Sequence, residues 1–463
     1  MDPRFLPHNL HLEKIETFLN LDPHLKLLSR QPLVYQSRII NEIPLDTPGI
    51  FTLSGGRQIG KTTLLKQWMA KILKSHFPPE CVVFFTGELI DDHHSLVRIL
   101  TEQIKEMDKS HINFILLDEV TYINNWDKGI KYLADTGALE KTTLMITGSD
   151  LNIIKEARMR FPGRRGISNK VDFHLNPLSF FDLIMLKKVI TNNDLEMLLD
   201  PEKIPSDDLI GILFREFEIY LKHGGFLTAI NDIARDGKIL PSTFLTYSDW
   251  IRGDILKRHK QEHYLMEILG AIIKHYGSQI TWNSLLGDLS IDHPKTIADY
   301  MMLLASMDAV FIQSAILEDK LTASPKKAKK VMFSDPFIFH AINAWLNPSD
   351  DPFIEQVIPL TQDTEWGSRL TEACAATHYS RHFPTFYIKS KGEVDIAYIA
   401  HKRFWPVEIK WTSQFRPNQI KQIAKYKNGV ILTKSKMIKE IQGIPSIPLP
   451  LALLRLKSVT IPK

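Results

Sequence analysis

The stretch 51-FTLSGGRQIGKTTLLKQW-68 governs how the rest of the chain is read. It joins an apolar lead to a glycine-rich turn and then to an amphipathic run that begins at Lys61. Gly55, Gly60, Lys61 and Thr62 stand in the order G-x-x-x-x-G-K-T, with a strand expected before them and a helix after. Glycines at these places let backbone N–H groups converge on phosphate oxygens, and the helix N-terminus adds a favourable dipole. Gly55, Gly56, Arg57, Gln58, Ile59, Gly60, Lys61, Thr62 and Thr63 are therefore expected to bind ATP. Lys61 is expected to reach the β- and γ-phosphates, and the Thr62 hydroxyl to ligate Mg²⁺.

Downstream, the apolar runs 82-VVFF-85, 114-FILLDE-119, 143-TLMITG-148 and 170-KVDFHL-175 alternate with helical patterns. That alternation predicts a parallel sheet covered by helices. The run 114-FILLDEV-120 ends a buried strand in two carboxylates, a costly arrangement unless each has a partner. Asp118 is expected in the Mg²⁺ shell, with Glu119 polarising the attacking water. At 144-LMITGSD-150, Thr147 or Ser149 is placed at a strand tip to sense a γ-phosphate, and a plain strand-to-loop turn fits nearly as well. The loop 158-RMRFPGRRG-166 is rich in arginine, and Arg164 and Arg165 are candidates for an arginine finger in cis or across a subunit contact. A solvated basic loop explains the same run.

A chain of 463 residues exceeds what one core usually serves, so several domains are expected. The composition, 44% hydrophobic and 24% charged, is that of an ordinary soluble globular protein. A net charge of +4 permits a nucleic-acid partner without demanding one. Cys81 and Cys374 do not make a disulfide framework, which points to a reducing compartment. Neither a basic leader with an apolar run nor a membrane-length apolar stretch is seen, so a cytoplasmic protein without membrane contact is expected.

Three parts are expected: 1–190, a helical lead and P-loop ATPase domain; 191–345, mainly helical; and 346–463, a separate α/β tail. The stretch 347-NPSDDPF-353 reads as the linker before the tail. In the middle part, 282–288 and 294–306 fit the two helices of a helix-turn-helix, with 309-AVFIQSA-315 starting a wing. The outward residues Lys295, Thr296 and Asp299 are a thin basic supply, so DNA contact and a structural role both stay open. The run 326-KKAKK-330 reads as a solvated loop or a source of phosphate contacts.

In the tail, a helix at 365–379 precedes strand-like runs at 385–389, 394–400 and 404–411, then a helix at 418–427 and a strand at 429–433. Asp395, Glu408 and Lys410 make D-x12-E-x-K, and Glu372 lies on the helix before. This resembles the PD-(D/E)xK nuclease core. In that reading Glu372, Asp395 and Glu408 hold Mg²⁺ and Lys410 orients or activates water. A retained fold whose acids pair with lysines, without cleavage, explains the same residues. Ten lysines and arginines against one acid in 401–439 favour an acidic partner such as DNA.

The order GRQIGKTTLL, LLDEVTYINNWDKGIKYLAD, ITGSD, FPGRRG and 176-NPLSFFDL-183 resembles prokaryotic AAA+-type ATPases of the AAA_14 class. The runs 220-YLKHGGFLTAI-230, 331-VMFSDPFIF-339, 392-GEVDIAYI-399 and 407-VEIKW-411 resemble the DUF4143 half that follows such an ATPase. The chain departs from the pattern at Gly56, where proline is common, and at Trp411, where a small polar residue is usual. The resemblance implies a P-loop, AAA+-like parallel-sheet ATPase domain, a helical winged-helix middle domain and a restriction-endonuclease-like α/β tail. The expected function is a Mg²⁺-dependent ATPase acting on DNA, in repair, recombination, mobile-element or defence processes. The rivals are an oligomeric branch-migration motor with an inert nuclease fold, and a switch ATPase that binds a protein partner.

Overall fold

The computed structural model describes residues 1–149, 152–412 and 416–456. The last residue of the 144–150 run therefore lies outside the described residues. The chain forms two compact units: Met1–Asn176 with Ser306–Asp308, and Pro177–Ala305 with Ala309–Lys463. No helix among the described residues is long and apolar enough to cross a membrane.

The first unit is built on five strands: β1 (Gly49–Ser54), β2 (Val82–Thr86), β3 (Asn113–Asp118), β4 (Thr142–Gly148) and β5 (Asp172–His174). They pair in the order β2-β3-β4-β1-β5, all parallel. The last is shorter than the expected 170–175 run. Alternate side chains of each strand feed opposite faces. Phe51, Leu53, Phe84, Phe114, Leu116 and Met145 pack on Leu65, Trp68 and Met69 of the helix Lys61–Leu73. Ile50, Val83, Phe85, Ile115, Leu117 and Ile146 pack on Leu96 and Leu100 of His93–Glu106 and Ile130 of Trp126–Asp135. A sheet buried on both faces accounts for the continuous apolar runs read from the sequence. The edge strand β2 is covered by the helical lead: Asn9 exchanges hydrogen bonds with the Phe84 backbone at 2.7 and 2.8 Å, and a His11 ring nitrogen lies 2.8 Å from Val82 O. Parallel pairing sets the C-terminal ends of β1, β3 and β4 along one edge, where the loops carrying polar groups begin.

The second unit opens with helices, among them Asp207–His223, Pro241–Lys257 and Glu262–Lys274. Then come β6 (Gln279–Ile280), the short helix Trp282–Leu285, the helix Pro294–Ser306 and β7 (Val310–Ser314). A small hairpin, β8 (Ile316–Leu317) and β9 (Thr322–Ala323), leads to β10 (Lys329–Phe333). The antiparallel order is β6-β10-β7. The solvated loop expected at 326–330 is thus corrected in part, because Lys329 and Lys330 open a strand and Lys330 is buried. The stretch 347–353 is packed: Lys238 Nζ lies 2.6 Å from Asp351 Oδ2, and Phe353 is buried.

After the helix Thr364–Ser380 come β11 (Thr385–Lys389), β12 (Glu393–Ala400), β13 (Arg403–Lys410), β14 (Val430–Thr433), β15 (Lys439–Ile441) and β16 (Ile444–Pro448). Their order is β11-β12-β13-β14-β16-β15. The helix expected at 418–427 is absent; two 3₁₀ turns, Pro417–Ile420 and Ile423–Lys425, stand there instead. Ile420, which ends the first turn, and Ile423, which begins the second, are both buried in the core of the tail.

Candidate active site

The loop after β1 is shaped by glycine where the backbone requires it. Gly60 has φ +101° and caps the helix Lys61–Leu73, and a Cβ at Gly55 would lie 2.6 Å from Leu175 O. Gln58 adopts the left-handed region at φ 57°. Within the loop, the buried Lys61 donates from Nζ to Gly55 O at 3.1 Å and Gly56 O at 3.0 Å. The same Nζ lies 3.5 Å from Glu119 Oε1. The Arg57 guanidinium donates to the Tyr122 hydroxyl at 3.2 Å and lies over its ring.

The acids are joined to the loop through hydroxyls. Thr62 Oγ1 donates to Asp118 Oδ2 at 2.6 Å, and Thr147 Oγ1 donates to Asp118 Oδ1. The Glu119 backbone N–H donates to that Thr147 oxygen at 3.0 Å. Glu119 is left-handed, at φ 51°, so the chain turns sharply as β3 ends. Gly87, after β2, permits the turn: a Cβ there would lie 2.5 Å from Glu119 O. Glu119 Oε2 is buried with no hydrogen-bond partner among the described residues.

This donor set fits a nucleotide with Mg²⁺. The hydroxyl of Thr62 and the carboxylate of Asp118 are hard oxygen donors of the kind Mg²⁺ takes. The Lys61 ammonium is held by two carbonyls that phosphate oxygens can replace. A buried carboxylate oxygen without a partner is costly, and a water molecule bound there relieves the cost.

Other residues singled out in the sequence lie elsewhere. Ser149, beyond the end of β4, is buried, but the strand-tip hydroxyl tied to both acids is Thr147. Arg165 is tied to the middle of β1 and to β5: it donates to Ile50 O at 3.2 Å, Val171 O at 3.1 Å and Asp172 Oδ1 at 2.6 Å. Arg164 pairs with Asp135 and donates to Pro162 O. Neither is bonded to the phosphate loop. Arg158 and Arg160, paired with Asp172 and Asp127, keep most of their side-chain surface exposed.

In the second unit, Glu372, Asp395, Glu408 and Lys410 are brought together. Lys410 Nζ donates to Glu408 Oε1 at 2.5 Å, and Asp395 Oδ2 accepts from Ile409 N at 2.8 Å. Burial pushes Glu372 up to about 7 against the pull of Lys330, and pushes Glu408 up to about 8, with Asp395 adding repulsion. For Lys410 burial acts downward, but Glu408 and Asp395 outweigh it and hold the ammonium above its ordinary range. Two members were missed in the sequence. Glu393 lies two residues before Asp395 on β12, hence on the same face, a signal the period of a strand carries. Lys330 gave no signal, since it lies in a basic run. Trp411, the departure from the usual pattern, packs on the helix Asp207–His223, with ring centroids 5.8 Å from Phe214 and 5.3 Å from Phe217.

Residues 47–184 match the family model AAA_14, described as an AAA domain. The segment contains the phosphate loop, the Asp118–Glu119 pair and Thr147. A curated relative, the uncharacterized protein MJ1544 of Methanocaldococcus jannaschii, is 25% identical over 246 residues. The match covers 50% of this chain and 48% of the relative, so the chain spans about half the length of that protein. Among solved structures, the Aeropyrum pernix Orc1 protein in complex with DNA aligns at 12% identity over 74% of this chain and 97% of its own, with a TM-score of 0.34. Thermotoga maritima RuvB aligns at 14% identity over 62% of this chain and 84% of its own, with a TM-score of 0.28. AMPPCP-bound DnaA from Aquifex aeolicus aligns at 14% identity over 58% of this chain and 86% of its own, with a TM-score of 0.25.

Proposed function

We propose that the chain is a Mg²⁺-dependent ATPase that acts on DNA. The observation that carries the hydrolytic part is the linked array at the strand tips: Thr62 to Asp118, Asp118 to Thr147, and Thr147 to the Glu119 backbone, beside Lys61. When bound, MgATP supplies the phosphoanhydride to be cleaved and neutralises part of its charge. Lys61 Nζ leaves its carbonyl partners for phosphate oxygens. Thr62 Oγ1 and the Asp118 carboxylate would hold the cation. Glu119 orients the attacking water and takes its proton at Oε2. Thr147 fixes the Asp118 carboxylate and the backbone from which the Glu119 side chain leaves. An arginine given from another copy would come from Arg158 or Arg160, which are exposed, rather than from Arg164 or Arg165.

The DNA part rests on the second unit. Its β6-β10-β7 sheet with the helices Trp282–Leu285 and Pro294–Ser306 supports the winged-helix reading. The exposed residues of Pro294–Ser306 include Lys295, Asp299 and Met302, a poor phosphate-binding face. The tail carries the basic supply: Lys402, Arg403, Lys421, Lys427, Lys436 and Lys439 are exposed. The nuclease-like reading is supported by the convergence of Glu372, Asp395, Glu408 and Lys410 on a helix followed by the strands β11, β12 and β13. The pairing of its acids with Lys330 and Lys410 favours a tail that binds DNA over one that cuts it.

The test is ATP turnover of the full chain with and without linear, forked and four-way DNA across a salt series. Stimulation by DNA that fades as salt rises is expected. Identical rates throughout would remove DNA from the proposal and leave a switch ATPase.

A further inference from the structure

Oxygens of Glu372, Glu393 and Asp395 lie within 4.8 Å of one another, brought together by the helix Thr364–Ser380 and β12. Carboxylates that close repel unless a cation sits among them. Glu408, 5% exposed, adds a fourth acid from β13, and its Oε2 has no hydrogen-bond partner among the described residues. Glu408 pairs with Lys410, and the cation among the Glu372, Glu393 and Asp395 oxygens is Lys330, from β10 and 1% exposed. Its Nζ lies 2.7 Å from Glu372 Oε1 and 3.7 Å from Asp395 Oδ1, and also pairs with Glu393.

Neighbouring strands hold the lysine in place. Lys330 is opposite Gln279 on β6 and opposite Gln313 on β7. Side chains directly across neighbouring strands share one face. All three reach the tail: Gln313 Nε2 donates to Phe386 O and Asp395 O, each at 2.9 Å, and Gln279 Nε2 donates to Glu393. The Tyr387 hydroxyl donates to Ala328 O at 2.6 Å, fixing the turn just before β10. A Gln-Lys-Gln row at one level of the sheet is thus seated on the acids.

The geometry points to Lys330 as a tethered cation that fills the divalent-metal position of the tail and keeps it closed. An ammonium hydrogen-bonded to a carboxylate oxygen excludes an ion that binds the same oxygen at about 2.1 Å, as Mg²⁺ does. While β10 stays seated, the acids take no metal and the three-stranded sheet is pinned to the tail. Withdrawing the lysine leaves three partly buried acids uncompensated, a state that a divalent cation stabilises. The inference takes from the nuclease-like reading only the identity of the acids. Its test reads metal binding, not cleavage, so the two fail separately.

The test is Mn²⁺ titration of the nucleotide-free full chain, with free Mn²⁺ read by electron paramagnetic resonance. Wild type and Asp395→Asn are expected to bind alike. Lys330→Ala is expected to gain one Mn²⁺ per chain and a higher melting temperature with Mn²⁺, and Lys330→Ala with Asp395→Asn to lose both. The inference is overturned by an Mn²⁺ site in the wild type that Asp395→Asn removes, or by a folded Lys330→Ala that gains none. If Lys330→Ala stays unfolded even with Mn²⁺, the comparison of wild type with Asp395→Asn decides: equal binding supports the inference and lower binding in the variant overturns it.

Discussion

Replacing Thr147 by valine removes one oxygen and keeps the shape of a β-branched side chain in β4. That oxygen donates to Asp118 Oδ1 and accepts from Glu119 N at 3.0 Å, and Thr147 is fully buried. Valine leaves the carboxylate short of a donor and the Glu119 N–H short of an acceptor. A buried hydrogen bond to a charged group contributes roughly 1.5–3 kcal/mol, and a group left unsatisfied costs a similar amount. Each 1.36 kcal/mol is a factor of ten in rate, so if the loss falls on the orientation of Glu119, turnover drops roughly ten- to hundredfold. KM for ATP changes little, because Lys61 and the loop glycines are untouched. The assay is steady-state phosphate release by the purified full chain, with a thermal melt to show that the variant is folded. Thr147→Ser keeps the hydroxyl and is expected to restore turnover. Wild-type turnover in Thr147→Val refutes the reasoning. So does a Thr147→Ser as slow as the valine variant, since the methyl group rather than the oxygen would then matter.

Arg165→Ala is expected to lower the melting temperature while leaving turnover per folded molecule intact, because Arg165 binds the β1 backbone, the Val171 carbonyl just before β5, and Asp172. Lost turnover at an unchanged melting temperature would return it to the role of a finger. The raised carboxylates predict a pH effect. Glu408, pushed by burial from 4.5 up to about 8, holds its proton more tightly folded than unfolded. Its contribution to stability is therefore present below about 4.5 and is lost as pH rises through about 8. Melting temperatures from pH 5 to 9 are expected to fall less steeply in Glu408→Gln than in the wild type, and parallel curves would contradict this.

The phosphate loop was legible because its requirements are local: glycine at Gly60, a lysine and a hydroxyl at the next two places, and flanks that name the strand and helix. The two-faced sheet was legible through the continuous apolar runs 82–85 and 114–117, set between helical patterns, whose neighbouring residues feed opposite cores. What stayed hidden depends on register and distant pairing. Thr147 and Ser149 were not separable from one strand, since it is the pairing of Leu117 with Ile146 that brings Asp118 to Thr147. Arg165 looked like a free loop cation because its carboxylate partner comes only with β5. The helix read at 418–427 is two tight turns held by Ile420 and Ile423. Lys330 was unreadable, because a basic run looks solvated until β10 is laid between β6 and β7 and its lysine turned onto acids more than forty residues away.

The central claim is that ATP is hydrolysed between Lys61 and Glu119. Its most direct test is ATP binding and phosphate release by the wild type, Lys61→Ala and Glu119→Gln, all checked for folding. Phosphate release by the wild type, none by either variant, and ATP retained by Glu119→Gln is the predicted result. Phosphate release by Lys61→Ala at the wild-type rate contradicts the claim.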